Sequence, residues 1–81
     1  MNKSVTIHTE SVLEPRALAE LVGLANEYKS SIYISMDDKR INAKSIMGIM
    51  GLGMDKGKEI MLCAEGEDEQ SAIAAIEKFL L

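Results

Sequence analysis

The chain has 81 residues, 47% of them hydrophobic and only three aromatic, which predicts one small domain over residues 1–81. The formal net charge of −4 argues against direct binding to nucleic acid, because affinity for a phosphate backbone comes mainly from clustered lysine and arginine. No apolar stretch approaches the roughly 20 residues that a bilayer requires, so we expect a cytoplasmic protein that does not insert into a membrane.

The first predicted elements are a strand and an amphipathic helix. Residues 4–9 alternate between polar and apolar side chains, the period of a half-buried strand, and His8 falls on the polar face. Pro15 predicts the start of a helix, because its fixed φ suits the first helical position. One apolar stripe follows along that helix: Leu18, Leu21, Val22, Ala25 and Tyr28.

The middle of the chain predicts a hairpin and then a short helix. Residues 31–36 alternate again, and the acidic pair at 37–38 predicts a turn before a short strand over residues 39–44. Ser45 is a preferred N-cap and precedes the short apolar segment 46–53. Three glycines weaken a helix there, since each costs about 1 kcal/mol relative to alanine, so another requirement is expected to fix this segment.

The last part of the chain predicts a strand and a helix. Residues 58–64 alternate as a fourth strand, and the acidic connection at 65–70 suits a helix N-terminus. The final apolar stripe predicts a helix that runs to residue 81. The order is β-α-β-β-α-β-α, and one apolar stripe on each helix places all three helices on one face of the sheet.

This order predicts the topology as well. A right-handed crossover through the first helix leaves a gap between two parallel strands, which the fourth strand can fill in the antiparallel direction. The predicted fold class is therefore α+β: an open-faced β-sandwich with a four-stranded antiparallel sheet of order 1-4-2-3.

Catalytic and metal chemistry finds little support in the residues. Cys63 and His8 are the single cysteine and the single histidine, so an internal disulfide is impossible and zinc-ligand spacing is absent. Neither a metal centre nor a Cys/His nucleophile pair can be assembled from them. We expect no enzyme activity, no metal and no cofactor, and we expect Cys63 to be a small buried hydrophobic residue.

Two segments resemble a known family. Residues 42–53 resemble the regulatory serine segment of the histidine-containing phosphocarrier proteins (HPr) of the bacterial sugar phosphotransferase system, and residues 64–69 resemble the acidic turn before their last helix. Placed without gaps, the resemblance covers nearly the whole chain. It implies that a bifunctional HPr kinase/phosphorylase acts on Ser45 and that a catabolite-control transcriptional regulator binds the phosphorylated form.

The chain departs from this family at the phosphocarrier motif, a histidine before the first helix followed by a small residue, arginine and proline. Glu14 stands where the histidine would be, Arg16 is retained, and the proline comes two places earlier. A histidine ring nitrogen accepts a phosphoryl group at neutral pH, whereas a carboxylate would form a labile acyl phosphate. His8 lies six residues before Glu14 on a polar strand face, where we expect an exposed histidine rather than a carrier.

Two interpretations of Glu14 stay open. Its carboxylate can simply stabilise the helix N-terminus, which is worth about 0.3–1 kcal/mol, or it can imitate part of the charge of a phosphorylated histidine. Ser45 can be an N-cap and a phosphorylation site at once, because a phosphate there meets the positive end of the helix dipole.

The segment after Ser45 also predicts a docking surface. It has more large apolar side chains than one face of a short helix can bury, and exposed methionines form adaptable binding surfaces. We expect Ile46 and either Ile49 or Met50 to be buried, and Met47 and Met54 to be exposed. The predicted partner-binding residues are Glu14, Arg16, Lys44, Met47, Met50 and Met54, in which Arg16 and Lys44 supply cations for acidic partner residues.

The leading hypothesis is a non-catalytic regulatory protein that acts through phosphorylated Ser45. The alternative is a phosphocarrier, or a module that docks on other phosphotransferase components, using Glu14 or His8 in place of the missing histidine. A small structural domain with an inherited serine is the remaining possibility.

Overall fold

The protein is described by a computed structural model that covers residues 1–10 and 14–81. The described residues form four strands and three helices, and the predicted order of elements is confirmed. The elements are β1 (Asn2–Thr6), α1 (Pro15–Asn26), β2 (Ser31–Met36), β3 (Lys39–Asn42), α2 (Ile46–Met50), β4 (Glu59–Glu65) and α3 (Glu69–Leu80).

The strands form one antiparallel sheet of order β1-β4-β2-β3, as predicted. Val5 pairs with Ile60 and Ile34 pairs with Leu62, so apolar residues of three neighbouring strands lie side by side. The opposite face stays open, and there the Arg40 guanidinium lies 4.3 Å from the centre of the Tyr33 ring. The fold is an α+β open-faced sandwich with its core between the sheet and the helices.

The helices cover the apolar face through the stripes that their sequences predict. The buried residues of α1 are Ala17, Leu21, Val22 and Ala25, and those of α3 are Ala72, Ile73, Ile76 and Leu80. Leu18 and Tyr28, also predicted on the first stripe, pack against the core while partly buried. Burying the leucine, valine and isoleucine side chains contributes about 1.5–3 kcal/mol each, which holds the helices to the sheet.

Most element boundaries differ from the predicted ones by one to three residues: β1 starts at Asn2, α1 ends at Asn26 before Tyr28, β4 spans Glu59–Glu65 and α3 ends at Leu80. β1 ends at Thr6 instead of residue 9, because the N–H groups of His8 and Thr9 donate to the Leu80 carbonyl at 2.9 and 3.1 Å rather than to a neighbouring strand. His8 is exposed as predicted but lies beyond the strand. β3 ends at Asn42 instead of residue 44.

The prediction of a buried Cys63 is wrong. Inward and outward positions alternate along β4, and Leu62 and Ala64 take the inward positions on either side of Cys63. Cys63 pairs with Asn2 on one side and with Tyr33 on the other, on the open face of the sheet, and is half-buried.

One carboxylate joins the α1–β2 turn to the β4–α3 turn. Asp68 accepts hydrogen bonds from the N–H groups of Lys29 and Ser30 at 2.8 and 2.9 Å, and the Ser30 hydroxyl also donates to it. These donors favour the charged carboxylate, the Ser30 hydroxyl most strongly, and hold the pKa of Asp68 below its ordinary value. Gly66 completes the contact, because a Cβ there would lie 2.8 Å from Ser30 Cα.

The first prediction concerns Asp68→Asn. A lowered pKa in the folded state means that the charged carboxylate stabilises the fold above the ordinary aspartate pKa of about 3.9 and loses this effect as the pH falls through the lower value. We expect the wild type to be more stable at pH 7 and the difference to shrink between about pH 5 and pH 2. Urea unfolding across this range measures it.

Glu67→Gln is the matched control, because Glu67 is the exposed neighbour of Asp68 in the same turn. At pH 7 its free energy of unfolding should stay close to that of the wild type, because the hydrogen bonds from Lys29 and Ser30 go to Asp68. A difference between wild type and Asp68→Asn that stayed constant down to pH 2 would contradict the role assigned to this carboxylate.

Candidate functional site

Ser45 lies at the surface as the N-cap of α2, as its sequence position predicts. Its backbone is extended, with φ −102° and ψ 113°, and its hydroxyl oxygen accepts a hydrogen bond from the Gly48 N–H at 3.3 Å. The Ser45 carbonyl accepts from the Ile49 N–H at 3.0 Å, and its own N–H donates to the Asn42 carbonyl at 3.0 Å. The backbone on both sides thus fixes an exposed hydroxyl.

The turn before Ser45 is tied to the end of α1. The Lys44 ammonium donates to the Tyr28 carbonyl at 2.7 Å, and the Asn26 side-chain amide donates to the Lys44 carbonyl at 3.3 Å. The Lys44 N–H donates to Asn42 Oδ1 at 2.8 Å. The half-buried Lys44 side chain therefore has an internal partner, and its predicted contact with acidic groups of another protein would compete with that bond.

Gly48 supplies the requirement that fixes this glycine-containing segment. A Cβ at Gly48 would lie 2.6 Å from Cγ2 of Ile41, so glycine lets α2 approach β3 closely. The helix ends at Met50 with Gly51 as C-cap, and Gly53 adopts a positive φ of 76° in the following turn. The glycines lower the helix propensity of this segment, but they allow the close contact with β3 and the turn that ends the helix.

Three side chains form an exposed apolar surface beside Ser45, here called the Met47 surface. Met47 is 84% exposed, Met50 is 48% exposed and Ile46 is 37% exposed. The predicted exposure of Met47 is confirmed, whereas the predicted burial of Ile46 is wrong. Ile49 is the buried residue of α2, as one of the two predicted choices had it, because a helix of five residues turns little of its surface toward the sheet.

The predicted exposure of Met54 is wrong. Met54 is 4% exposed, and Leu52 is also buried, because the chain leaves the helix at Gly51 and turns these two side chains into the core. Met54 therefore does not belong to the surface of the folded protein, although it was predicted to contact a partner.

Glu14 and Arg16 lie at the start of α1. Glu14 is the exposed N-cap, and its carbonyl accepts from the Leu18 N–H at 3.1 Å, but its carboxylate makes no capping hydrogen bond among the described residues. Arg16 is exposed, and its Nε lies 3.9 Å from Glu20 Oε1, an ion pair that is worth little in solvent. Both side chains remain accessible to a partner.

The predicted site residues fall into two groups on neighbouring helices. Ser45 and the Met47 surface belong to α2, whereas Glu14 and Arg16 belong to α1, and the two helices pack against each other. Within residues 1–10 and 14–81, no hydrogen bond or ion pair joins Glu14 or Arg16 to the Ser45 segment.

Two further observations concern the part of the chain that the structure describes. It has no cluster of three or more histidine, cysteine, aspartate or glutamate residues that could hold a metal ion. It also has no helix that is long and apolar enough to cross a membrane.

The protein is thus an open-faced α+β domain that presents a helix-capping serine beside exposed methionines, and comparison with known proteins places this architecture in the class of small phosphocarrier-type proteins. The family model described as "PTS HPr component phosphorylation site" matches residues 1–81. The chain therefore belongs to the HPr family, and the resemblance noted in its sequence is confirmed.

Individual relatives agree with this family. The HPr-like protein Crh of Halalkalibacterium halodurans is 41% identical over 80 residues, which cover 99% of this chain and 95% of that protein. The crystal structure of phosphocarrier protein HPr from Bacillus anthracis is similar with a TM-score of 0.95 at 36% identity, over 100% of this chain and 96% of that one. Crh of Bacillus subtilis, whose crystal structure is described as a swapped, intertwined dimer, is similar with a TM-score of 0.77 at 36% identity, over 94% of this chain and 83% of that one.

Sequence reasoning missed the bonds that hold Ser45 in place. Lys44 meets Tyr28 and Asn26 across 16 and 18 residues of chain, and no local pattern announces such a contact. Asn42 was the one available signal, since an asparagine often accepts a hydrogen bond from the N–H two residues later.

The second prediction concerns Gly48→Ala. The added methyl group would overlap Cγ2 of Ile41, which is β-branched and cannot move without disturbing β3, so we expect the free energy of unfolding to fall by about 1–3 kcal/mol. Gly23→Ala is the control: nothing lies within 4 Å of its Cβ position in α1, and the better helix former should stabilise the protein by up to about 1 kcal/mol. Urea unfolding should show a lower free energy of unfolding for Gly48→Ala and a higher one for Gly23→Ala, each relative to the wild type. A stabilising Gly48→Ala would contradict the close contact.

Proposed function

We propose that this protein is a cytoplasmic, non-catalytic regulatory member of the HPr family that is phosphorylated on Ser45. A bifunctional kinase/phosphorylase adds and removes the phosphate, and a catabolite-control transcriptional regulator binds the phosphorylated form. The observation that carries the proposal is the Ser45 hydroxyl, which is exposed on a turn held by backbone hydrogen bonds. The resemblance of two relatives named Crh adds support.

The position of Ser45 suits a modification that changes the surface and leaves the fold intact. A phosphate adds nearly two negative charges at the N-cap, where backbone N–H groups and the positive end of the helix dipole are favourable partners. The Gly48 N–H already points at the serine oxygen, at 3.3 Å. The buried side chain of the helix is Ile49, whereas the Ser45 hydroxyl is at the surface.

The Met47 surface supports the docking half of the proposal. Met47 and Met50 lie two and five residues after Ser45 in the same short helix, so a partner that covers the serine also meets these side chains. A partner thereby gains apolar contact area from flexible thioether side chains, together with new charge at the serine. Arg16 at the start of the neighbouring helix offers an exposed cation.

The third prediction tests Ser45 directly. After incubation with ATP and an HPr kinase/phosphorylase, the intact mass of the wild type should increase by one phosphate group, and Ser45→Ala should show no increase. Ser71→Ala is the matched control, because Ser71 is an exposed serine in the first turn of another helix. A wild type that gains no mass, or a Ser45→Ala variant that still gains one phosphate, would remove the centre of the proposal.

The phosphorylated product then tests the partner. A catabolite-control regulator should bind the phosphorylated wild type and show little affinity for the unmodified protein or for Ser45→Ala. Equal affinity of the regulator for all three proteins would show that its binding does not depend on phosphorylation of Ser45.

A second candidate function rests on Glu14. Its carboxylate is exposed at the start of α1 and makes no capping hydrogen bond among the described residues, so it is free to meet a partner. In this function the protein docks on other phosphotransferase-system proteins through a fixed negative charge. In a variant of this function, Glu14 or His8 itself carries a phosphoryl group. Incubation with labelled phosphoenolpyruvate and the upstream enzyme would then give a phosphorylated protein whose label is lost in acid.

The fourth prediction addresses that function. Glu14→Gln should weaken binding to a phosphotransferase-system protein about 3-fold, the effect of one solvent-exposed charge, while Ser45→Ala leaves this binding unchanged. Glu27→Gln, the same change in an exposed residue at the other end of α1, is the control and should have no effect. Titration by fluorescence anisotropy measures the affinities, and identical values for Glu14→Gln and wild type would exclude a role for this carboxylate.

A further inference from the structure

The methionines of this chain fall into exposed and buried groups. Met47 is 84% exposed and Met50 is 48% exposed, whereas Met36 and Met54 are 5% and 4% exposed. Oxidation by a peroxide requires access to the sulfur atom, and it converts a flexible apolar side chain into a polar one. The two exposed thioethers beside Ser45 therefore differ in reactivity from Met54, which follows only four residues after Met50.

We propose that Met47, followed by Met50, is an oxidation site that controls access of the kinase to Ser45. One oxygen atom passes from the peroxide to the thioether sulfur, which loses two electrons and becomes a sulfoxide, while hydrogen peroxide is reduced to water. The inference rests on the proposed function, because it concerns the kinase that acts on Ser45.

The fold tolerates this modification. Met47 is almost fully solvated, so a sulfoxide oxygen there disturbs no core packing and is hydrated by solvent. The side chain that holds α2 to the sheet is Ile49, which peroxide does not attack, and Gly48 makes the close approach to Ile41. A sulfoxide at Met54 would instead place a polar group in the core, but burial protects that sulfur.

Docking is the step that the sulfoxide opposes. A kinase that takes Ser45 into its active site covers residues close to it in the same helix, and Met47 lies only two positions away. Covering a thioether removes apolar surface from water, whereas covering a sulfoxide removes the hydration of a polar oxygen and leaves it without a partner. The sulfoxide should therefore raise the KM of the kinase for this protein about 10-fold and change kcat little.

The fifth prediction is tested on the intact protein with limited hydrogen peroxide. Peptide mass mapping should find sulfoxide at Met47 before the less exposed Met50, Met1 and Met61, with Met54 unmodified while the protein remains folded. A thiol reductant removes reversible oxidation of Cys63 before the kinase assay, and methionine sulfoxide reductase should then restore the original KM.

Two variants make the assignment specific. Met47→Leu combined with Met50→Leu keeps apolar side chains at both positions but removes both sulfur atoms, so the KM of this variant should be the same before and after peroxide, whatever its starting value. Met61→Leu removes another exposed methionine, 41% exposed on the open face of the sheet, and should leave the sensitivity to peroxide unchanged.

The outcomes separate this inference from the proposed function. If the untreated wild type is not phosphorylated on Ser45, the proposed function fails and the inference fails with it. If the untreated protein is phosphorylated and the sulfoxide form has the same KM, the inference alone is overturned. It is also overturned if the double leucine variant remains as sensitive to peroxide as the wild type.

Discussion

The fold depends on the position of β4 in the middle of the sheet. This strand pairs with β1 on one side and with β2 on the other, and its inward residues Ile60, Leu62 and Ala64 are almost fully buried. The ladder to β1 joins residues as far apart in the sequence as Asn2 and Cys63, so the sheet is built on long-range contacts, which require most of the chain. The helices then cover the apolar face that β4 completes.

Helix α2 packs on this sheet through a small contact. Ile49 is the buried side chain of α2, and the close approach of Gly48 to Ile41 sets the distance between helix and strand. Lys44 ties the preceding turn to the Tyr28 carbonyl. A few contacts, most of them to backbone groups, thus fix the position of Ser45. The exposed side chains around it take no part in these contacts, so they can be modified without moving the serine.

The sequence predicts the periodic elements well and the short ones less well. Alternation over residues 31–36 and the stripe from Leu21 to Ala25 each repeat often enough to fix both the element and its buried face, and the sheet order follows from chirality and packing. Helix α2 has five residues, too few for a stripe, and Met54 lies beyond it, after a turn. The turn at Gly51 and Gly53 decides whether Met54 faces the core or the solvent. The residue types in this segment do not predict the direction of that turn.

The candidate site was also predictable only in part: its serine could be predicted from the sequence, and the contacts that hold the serine could not. Ser45 was found because capping is a local property of a residue and the backbone that follows it. The tether through Lys44 was not, since its acceptor is a backbone carbonyl, a group that every residue carries and that no side-chain pattern marks. Capping located the serine, the family resemblance implied its regulatory role, and the structure showed which contacts hold it.

Asp68 and Ser45 both accept hydrogen bonds from backbone N–H groups, but the donors lie in different places and the results are opposite. The Asp68 carboxylate accepts N–H groups from Lys29 and Ser30 in a distant turn, so its charge joins two parts of the molecule. The Ser45 hydroxyl accepts from Gly48 within its own helix, so its hydrogen bond joins nothing distant. A phosphate added at Ser45, as proposed, would therefore change the charge of one surface without linking distant parts of the fold. Its effect then depends on a partner that contacts the serine and the Met47 surface together.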